Sequence, residues 1–482
     1  MISLPPKRFE QTSPLISVDF FHRRYYLRLP ASQHRDRIHR YVPNDIRTLS
    51  VTELAAQLIE ARQTSHTLLH CFYTALGSEQ LAVPFKENLN PPLWEFGHVA
   101  WFADYWIARN PGRSQGTQYK PMAHSPSALP AADGLFNSAT VAHETRWQLP
   151  LLGMNGIQQY LKEVAERTED CLTSDMAALE MPKRSGASHS VIDHTSYFYR
   201  LALSHEDMHA EAFYMTAQDL GFPMPGTDTP PWQPVVTESQ PQLAKVVAPL
   251  PQALGFMREE AAARSQLFVP KQTVVLPRPA SGFFFDNEAE SLSESLDDFK
   301  IDTQPVDHAA YAAFMEDQGY QRPELWSSEA WAWRTRERLH GPRYLSLSNG
   351  RLFRQWFGQT FEVPEWFPMI HVSLYEAEAW ARWAGRQLPT EAQWVAAAMS
   401  APELFVWGDV WEWTASRFLP FDGFEPHPYK EYSAPWFGDH QVLKGASWVT
   451  NNRLHSLRFR NFYKPHRADV FAGFRTVGRP LK

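Results

Sequence analysis

Cysteine is almost missing from this chain: Cys71 and Cys171 are the only two, and none follows position 171. So few cannot build a disulfide framework. Glycine is also sparse, 23 of 482 residues, which argues against a fibrous or repetitive sheet protein. No stretch approaches the roughly 18–20 apolar residues that cross a bilayer. From Met1 to Pro30, the charges of Lys7, Arg8, Glu10, Arg23 and Arg24 interrupt any signal-peptide core. Nor is there an excess of basic charge. Lys plus Arg number 46 against 53 Asp plus Glu, so the net charge is −7 and no overall field draws in a polyanion. The expectation is a cytoplasmic protein with no membrane or nucleic-acid partner.

What is abundant is proline (38), aromatic residues (31 Phe, 18 Trp and 17 Tyr) and histidine (19). At roughly 100–200 residues per domain, this length suggests two to four domains. Residues 1–44 are Pro- and Arg-rich, with no period. From Asp45 the pattern is helical, with Leu49, Leu54, Leu58 and Ile59 behind Thr48 or Ser50 as caps. Pro91-Pro92 opens a second helix over Leu93–Arg109, and Leu151–Met181 and Asp193–Leu220 read as further helical segments, the last stopped by Gly221. Four amphipathic segments with a long loop after the second predict a four-helix bundle over 45–222. Residues 223–270 have the proline density of a linker. Beyond it, 271–482 predicts an α+β domain rich in irregular structure. Strands are expected at Gln272–Leu276 and Gly282–Phe285, with helices confined to Asp307–Gln318 and Ser373–Ala384.

The chemistry concentrates at Ser204-His205-Glu206-Asp207-Met208-His209. Histidines four apart lie on one helix face and can reach one metal. His-Glu-x-x-His is also the zinc-hydrolase signature, with the Glu as general base. That class needs a third ligand downstream, yet position 215 is Met and Asp219–Glu238 runs into the Pro-rich segment. His98 on the second helix is the better partner, with Gly97 allowing close helix approach. Three imidazoles with open positions suit Fe(II) with O2 or Zn(II) with water, and spacing alone leaves both open.

Further motifs follow in order: Phe285-Asp286-Asn287-Glu288, Leu388-Pro389-Thr390-Glu391-Ala392-Gln393-Trp394, Val410-Trp411-Glu412-Trp413-Thr414, Leu443-Lys444-Gly445-Ala446-Ser447-Trp448 and Phe471-Ala472-Gly473-Phe474-Arg475. With the histidines before them, they make residues 45–482 resemble the ergothioneine-synthase-like non-heme iron enzymes (the EgtB, OvoA and SenA enzymes), most closely the selenoneine synthases. The resemblance implies a DinB-like four-helix bundle followed by a C-type-lectin-like formylglycine-generating-enzyme (FGE-sulfatase) domain. It implies Fe(II) held by His98, His205 and His209, O2 as co-substrate, and hercynine (trimethyl-histidine) as the acceptor of a chalcogen. Formylglycine-generating enzymes themselves act through two cysteines late in this domain, and the chain has none there.

The same resemblance places hercynine at Asn461 and Phe462, within Phe459–Arg467, where an aromatic face suits a cation lacking N–H donors. Three positions depart from the sulfur-using pattern. Met208 replaces a Gln before the second histidine of the pair. His143 replaces the first of two arginines three apart, leaving Arg146. Tyr463 replaces an acidic residue that meets the donor's ammonium group. A pocket with one guanidinium and one carboxylate fewer fits a zwitterionic amino acid poorly, and neutral hydroxyl and imidazole groups suit a sugar. The expected donor is therefore a selenosugar, with cysteine or γ-glutamyl-cysteine as the alternative and Arg467 among the substrate contacts. Tyr429, Tyr432 and Tyr105 are candidate proton donors, unranked. Glu206 is expected to support the ligands from behind. Trp394, Trp411, Trp413 and Trp448 are expected in the core, Gly445 and Gly473 at tight turns, and Asp409 with Glu412 at a structural Ca2+.

Overall fold

A computed structural model of the chain describes residues 45–180, 189–233, 265–348 and 350–478. The N-terminal extension and much of the linker therefore lie outside the described residues. The bundle begins with α1 (Val51–Leu76). Ser50 caps it and Glu53 closes a capping box, while Gly77 ends it at a φ of 66°. Helix α2 (Pro92–Ala103) starts with Pro92 in its first turn, and all of its residues are buried. A helix apolar on every side belongs at the centre of its domain, and this one does. It continues into a π-helical turn, Asp104–Ala108. The long connection that follows contains a short helix, α3 (Ala132–Phe136), and a 3-10 turn over His143–Gln148. Two long helices complete the bundle, α4 (Met154–Glu180) and α5 (His189–Leu220).

Gly97 serves the packing of α2. A Cβ there would stand 2.2 Å from the Phe136 ring, so the absent side chain admits α3's aromatic anchor. The beginning of the proline-rich segment is not free linker. Phe222, Met224 and Trp232 are buried, and Trp232 meets Trp356 with ring centroids 5.0 Å apart.

The second half is built from short strands: β1 (Gln266–Val269), β2 (Gln272–Leu276), β3 (Leu292–Leu296), β4 (Phe299–Asp302), β5 (Leu345–Ser348), β6 (Arg351–Trp356), β7 (Gln359–Glu362), β8 (Arg386–Gln387), β9 (Trp411–Arg417), β10 (Gln441–Gly445), β11 (Asn461–Tyr463), β12 (Ala472–Gly473) and β13 (Val477–Gly478). One four-stranded sheet has the order β11-β10-β9-β12, antiparallel except for β12 beside β9. Trp394 and Trp413 are fully buried in the core, Trp411 nearly so, and Trp448 half-buried against Trp356 and Phe471.

Several local expectations need correction. Residues Gly282–Phe285 do not pair as a strand. Gly282 takes a φ of 85° and its N–H donates to Asp193, so the segment ties the domain to α5 instead. Helices are also not confined to the two expected, which form as His308–Glu316 and Leu374–Trp383. Ser328–Arg336 and Glu391–Ser400 add two more, capped by Ser327 and by a Thr390–Gln393 box. Gly445 has the positive φ of a turn, 91°. Gly473 instead lies in β12, where a Cβ would meet the Met369 carbonyl at 2.1 Å, so close backbone approach is what requires it. The expected Ca2+ site does not form at Glu412. Its carboxylate is taken by Arg475 and by the indole N–H of Trp394, and a guanidinium already neutralises it.

Candidate metal centre

His205 and His209 project from one face of α5 toward α2, where His98 meets them. The ligand-capable nitrogens of the three rings all lie within 4.8 Å of one another, and no other such group of His, Cys, Asp or Glu occurs among the described residues. His98 Nε2 and His205 Nε2 stand 3.1 Å apart. Two nitrogens each about 2.1 Å from one shared ion would be about 3 Å apart, so the separation suits a common coordination sphere.

The surroundings fix which nitrogens face inward. His98 Nδ1 lies 2.8 Å from the Phe136 carbonyl, so Nδ1 carries the proton and Nε2 keeps its lone pair. His209 Nδ1 lies 2.7 Å from Glu95 Oε1, which aims its Nε2 in the same way. Glu95 also accepts from Asn90. A carboxylate behind a ligand histidine orients the ring and raises its basicity. His205 is held by stacking: Phe102 lies parallel to it at 3.7 Å. Burial pushes His98 and His205 well below the ordinary imidazole range, which keeps them in the neutral form that binds metal. The donor set, three imidazoles, fits a divalent first-row transition metal.

Glu206 does not support this centre. It points to α1, accepting from Ser65 at 2.5 Å and pairing with Arg62 at 3.1 Å. Each helical residue turns about 100°, so a side chain beside His205 faces a different neighbour, and the hydrolase general base is absent. Glu95, three residues before His98, takes the supporting role. The i, i−3 spacing on α2 is the signal that could have found it.

The remaining faces of α5 are locked to the second domain. Asp207 pairs with Arg453, Glu211 accepts from Trp411, Ser447 and Thr450, and Gln218 bonds the backbone of Gln355 and Phe357. None of these partners is near in sequence. Met208 reaches the seam as well, with the Tyr432 hydroxyl donating to its sulfur at 3.8 Å.

The other expected site residues are distributed as follows. Phe462 stacks on Phe418 at 4.0 Å and meets the edge of Tyr432, which links it to Met208. Asn461 precedes it on β11 and accepts from the Phe462 N–H. Arg146 lies 3.7 Å above the Trp94 ring, and Trp94 stacks parallel to His98 at 5.0 Å, so the guanidinium is one ring removed from the centre. Its donors meet Asn90 and the Val141 carbonyl, and burial pushes its pKa down to about 10. His143 gives Nε2 to the Leu89 carbonyl and packs between Phe85 and Trp147. Arg467 lies over Tyr463 and is gripped by Asp469 at 2.6 Å through two nitrogens.

Of the three tyrosines, Tyr429 is nearest the centre. Its ring is edge-on to Phe102 at 4.9 Å and to His205 at 6.4 Å. Tyr432 turns to Met208. Tyr105 packs on His124 and Trp101, farther out. Burial raises the Tyr429 and Tyr432 hydroxyls above the ordinary phenol range, so both stay protonated.

No helix among the described residues is long and apolar enough to cross a membrane. Residues 57–213 match the DinB superfamily, and residues 258–409 and 404–480 match the sulfatase-modifying factor enzyme 1-like (FGE-sulfatase) domain. The hercynine oxygenase of Mycobacterium tuberculosis is 27% identical over 471 residues, spanning 88% of this chain and 98% of that protein. The hercynine oxygenase of Mycolicibacterium smegmatis is 26% identical over 475 residues, 88% of this chain and 97% of that one. The formylglycine-generating enzyme of M. tuberculosis aligns only with part of the chain, at 28% identity over 288 residues, 42% of this chain and 95% of its own length. A DinB bundle that converges three histidines, joined to an FGE-sulfatase domain in one polypeptide and similar to hercynine oxygenases along nearly their whole length, fits the plan of the ergothioneine-synthase-like enzymes.

Proposed function

We propose that this protein is a non-heme Fe(II), O2-dependent enzyme that joins selenium from a selenosugar to the imidazole carbon of hercynine. The observation that carries the oxidative reading is the three-imidazole centre, in a chain that aligns with hercynine oxygenases along nearly their whole length. His98, His205 and His209 would hold the iron, which when bound supplies O2 activation. In the overall change, hercynine loses an imidazole C–H and the donor its Se–H. One C–Se bond forms, one oxygen atom of O2 goes to selenium, and the other leaves as water with both protons.

The chain's own residues bind, orient and supply protons. Phe462, Phe418 and Tyr432 offer aromatic surface for the trimethylammonium group, and Asn461 offers an amide beside it. Tyr429, which burial keeps protonated and whose ring is edge-on to His205, is the proposed proton-giving group. Glu95 fixes the His209 ring, so its Nε2 stays aimed at the other two imidazoles.

The selenosugar assignment rests on His143 and Tyr463, which stand where a carboxylate-and-ammonium donor would want an arginine and a carboxylate. The retained Arg146 favours the alternative, an EgtB-type synthase using cysteine or γ-glutamyl-cysteine sulfur. The test is protein purified without oxygen, loaded with Fe(II), then given hercynine, O2 and each donor, with products read by mass spectrometry. A selenium-containing adduct is expected. Turnover with either thiol but none with the selenosugar would overturn the selenium assignment, and no turnover of hercynine with any donor would overturn the reaction class.

A further inference from the structure

Tyr429 and Tyr432 lie on an irregular segment between β9 and β10 that no sheet ladder holds. Within it are only 3-10 turns, Lys430–Tyr432 and Ala434–Trp436. A loop of this kind needs side-chain anchors to hold one conformation. Two are present. At its start, His427 Nδ1 stands 3.0 Å from the Tyr197 hydroxyl on α5. At its end, fully buried Ser433 donates to Asp286 Oδ1 and accepts from Asn287 Nδ2 at 3.0 Å.

The second anchor comes from the Phe285-Asp286-Asn287-Glu288 motif, whose first three side chains bear on the same place. Phe285 stacks on Tyr432 at 4.4 Å. Glu288 pairs with Arg47 at 2.6 Å and fixes the turn from below. Asp286 and Asn287 then meet Ser433 one residue past Tyr432. The Asp286 carboxylate also meets the backbone N–H of His427, so it touches both ends of segment 427–433, and burying it there is costly unless the position of that segment matters.

We infer that Asp286 is a positioning residue: through Ser433 it holds segment 427–433 so that Tyr429 stays edge-on against the Phe102–His205 stack. The inference rests on the reading of Tyr429 as the proton-giving group. Misplacement of such a group by about 1 Å can cost on the order of a hundredfold in rate.

The test uses the full chain with Asp286→Ala, Asp286→Asn, Ser433→Ala, Tyr429→Phe and the Asp286→Ala/Tyr429→Phe double variant. With Fe(II) loaded, Asp286→Ala and Ser433→Ala should each lower kcat about tenfold or more, with KM for hercynine within about twofold. Asn, which still accepts from Ser433, should restore most of kcat. In the Tyr429→Phe background, Asp286→Ala should add less than about twofold, because both act on one group. In metal-free protein, amides of 427–433 should exchange with deuterium about tenfold faster in the Ala variants, and those of α5 should not change. Additive losses in the double variant, or equal losses in Asp286→Asn, would overturn the inference. If Tyr429→Phe slows turnover but exchange at 427–433 is unmoved by Asp286→Ala and Ser433→Ala, the anchor alone is wrong. Tyr429→Phe at full rate would instead sink the reading on which the inference rests. Should Asp286→Ala fail to fold, Ser433→Ala carries the same measurements.

Discussion

Arg453 grips Asp207 through two nitrogens, each 2.6 Å from a carboxylate oxygen, and Asp207 stands midway between His205 and His209 on α5. The same guanidinium reaches Gln57 of α1 at 2.5 Å. One side chain of the second domain thus clamps two bundle helices, one of them carrying two of the three centre histidines. Both partners are buried. Arg453→Met should cost about 3–5 kcal/mol in chemical denaturation, because it leaves a buried charge alone. Adding Asp207→Asn should recover part of that loss. A loss below about 1 kcal/mol would mean the pair does not secure the seam.

Glu95 and His209 make the second testable pair. Glu95→Gln keeps an oxygen that can accept from Nδ1 but removes the charge behind the ring. Affinity for Fe(II), or for Co(II) as a stable substitute, should fall about 10- to 100-fold by calorimetric titration, with helical content unchanged. Unchanged affinity would show that orientation alone, not the carboxylate, supports the ligand.

Glu206 gives the opposite expectation. It lies on the α1 side, held by Ser65 and Arg62. Glu206→Gln should leave turnover within about threefold and lower stability by about 1–3 kcal/mol as Arg62 loses its charged partner. Abolished turnover in well-folded protein would restore the hydrolase reading.

The difference between Glu95 and Glu206 shows what was legible before any coordinates. Periodicity places His205 and His209 on one face of α5, whereas His98 sits on another helix and joins them only through the packing of α2 against α5. The supporting carboxylate is harder, since two glutamates sit near the histidines and only packing tells which faces inward. Arg453 and Asp207 leave no local trace at all, being 246 positions apart. The helices at Ser328–Arg336 and Glu391–Ser400 carry their signal in the caps, Ser327 and Thr390 with Gln393, and not in an apolar stripe. Glu412 is misjudged for one reason. A charged residue in a motif can serve an internal pair, and sequence does not reveal the partner.

Stability should carry a pH signature from Asp286. Burial pushes its carboxyl up to about 6 from 3.8, against the hydrogen bond from Ser433, with Glu288 adding a like charge. The folded state therefore holds this proton more tightly than the unfolded one. The contribution is fully present below about pH 3.8 and is lost as pH rises through about 6. Asp286→Asn lacks that loss, so its stability relative to wild type should increase by about 1.4 kcal/mol between about pH 5 and about pH 7.5. Parallel curves for the two proteins would show that the carboxyl titrates normally.

Donor choice is the last expectation. His143 opens a 3-10 turn that also carries Arg146. With three residues per turn, positions 143 and 146 eclipse on one face, so an arginine at 143 would stand beside Arg146 as a double guanidinium. That pair repels itself unless carboxylates occupy it. Tyr463 lies under Arg467, whose guanidinium is 5.1 Å from the ring and paired with Asp469. An aspartate at 463 would offer a carboxylate to a donor ammonium group. His143→Arg with Tyr463→Asp should therefore raise kcat/KM for γ-glutamyl-cysteine relative to a selenosugar by at least about tenfold, each polar match counting only when its partner is present. The two substitutions should act more than additively, since a zwitterion uses both charges at once. A ratio that stays at its wild-type value, in protein that still binds Fe(II), would show that these two positions do not select the donor.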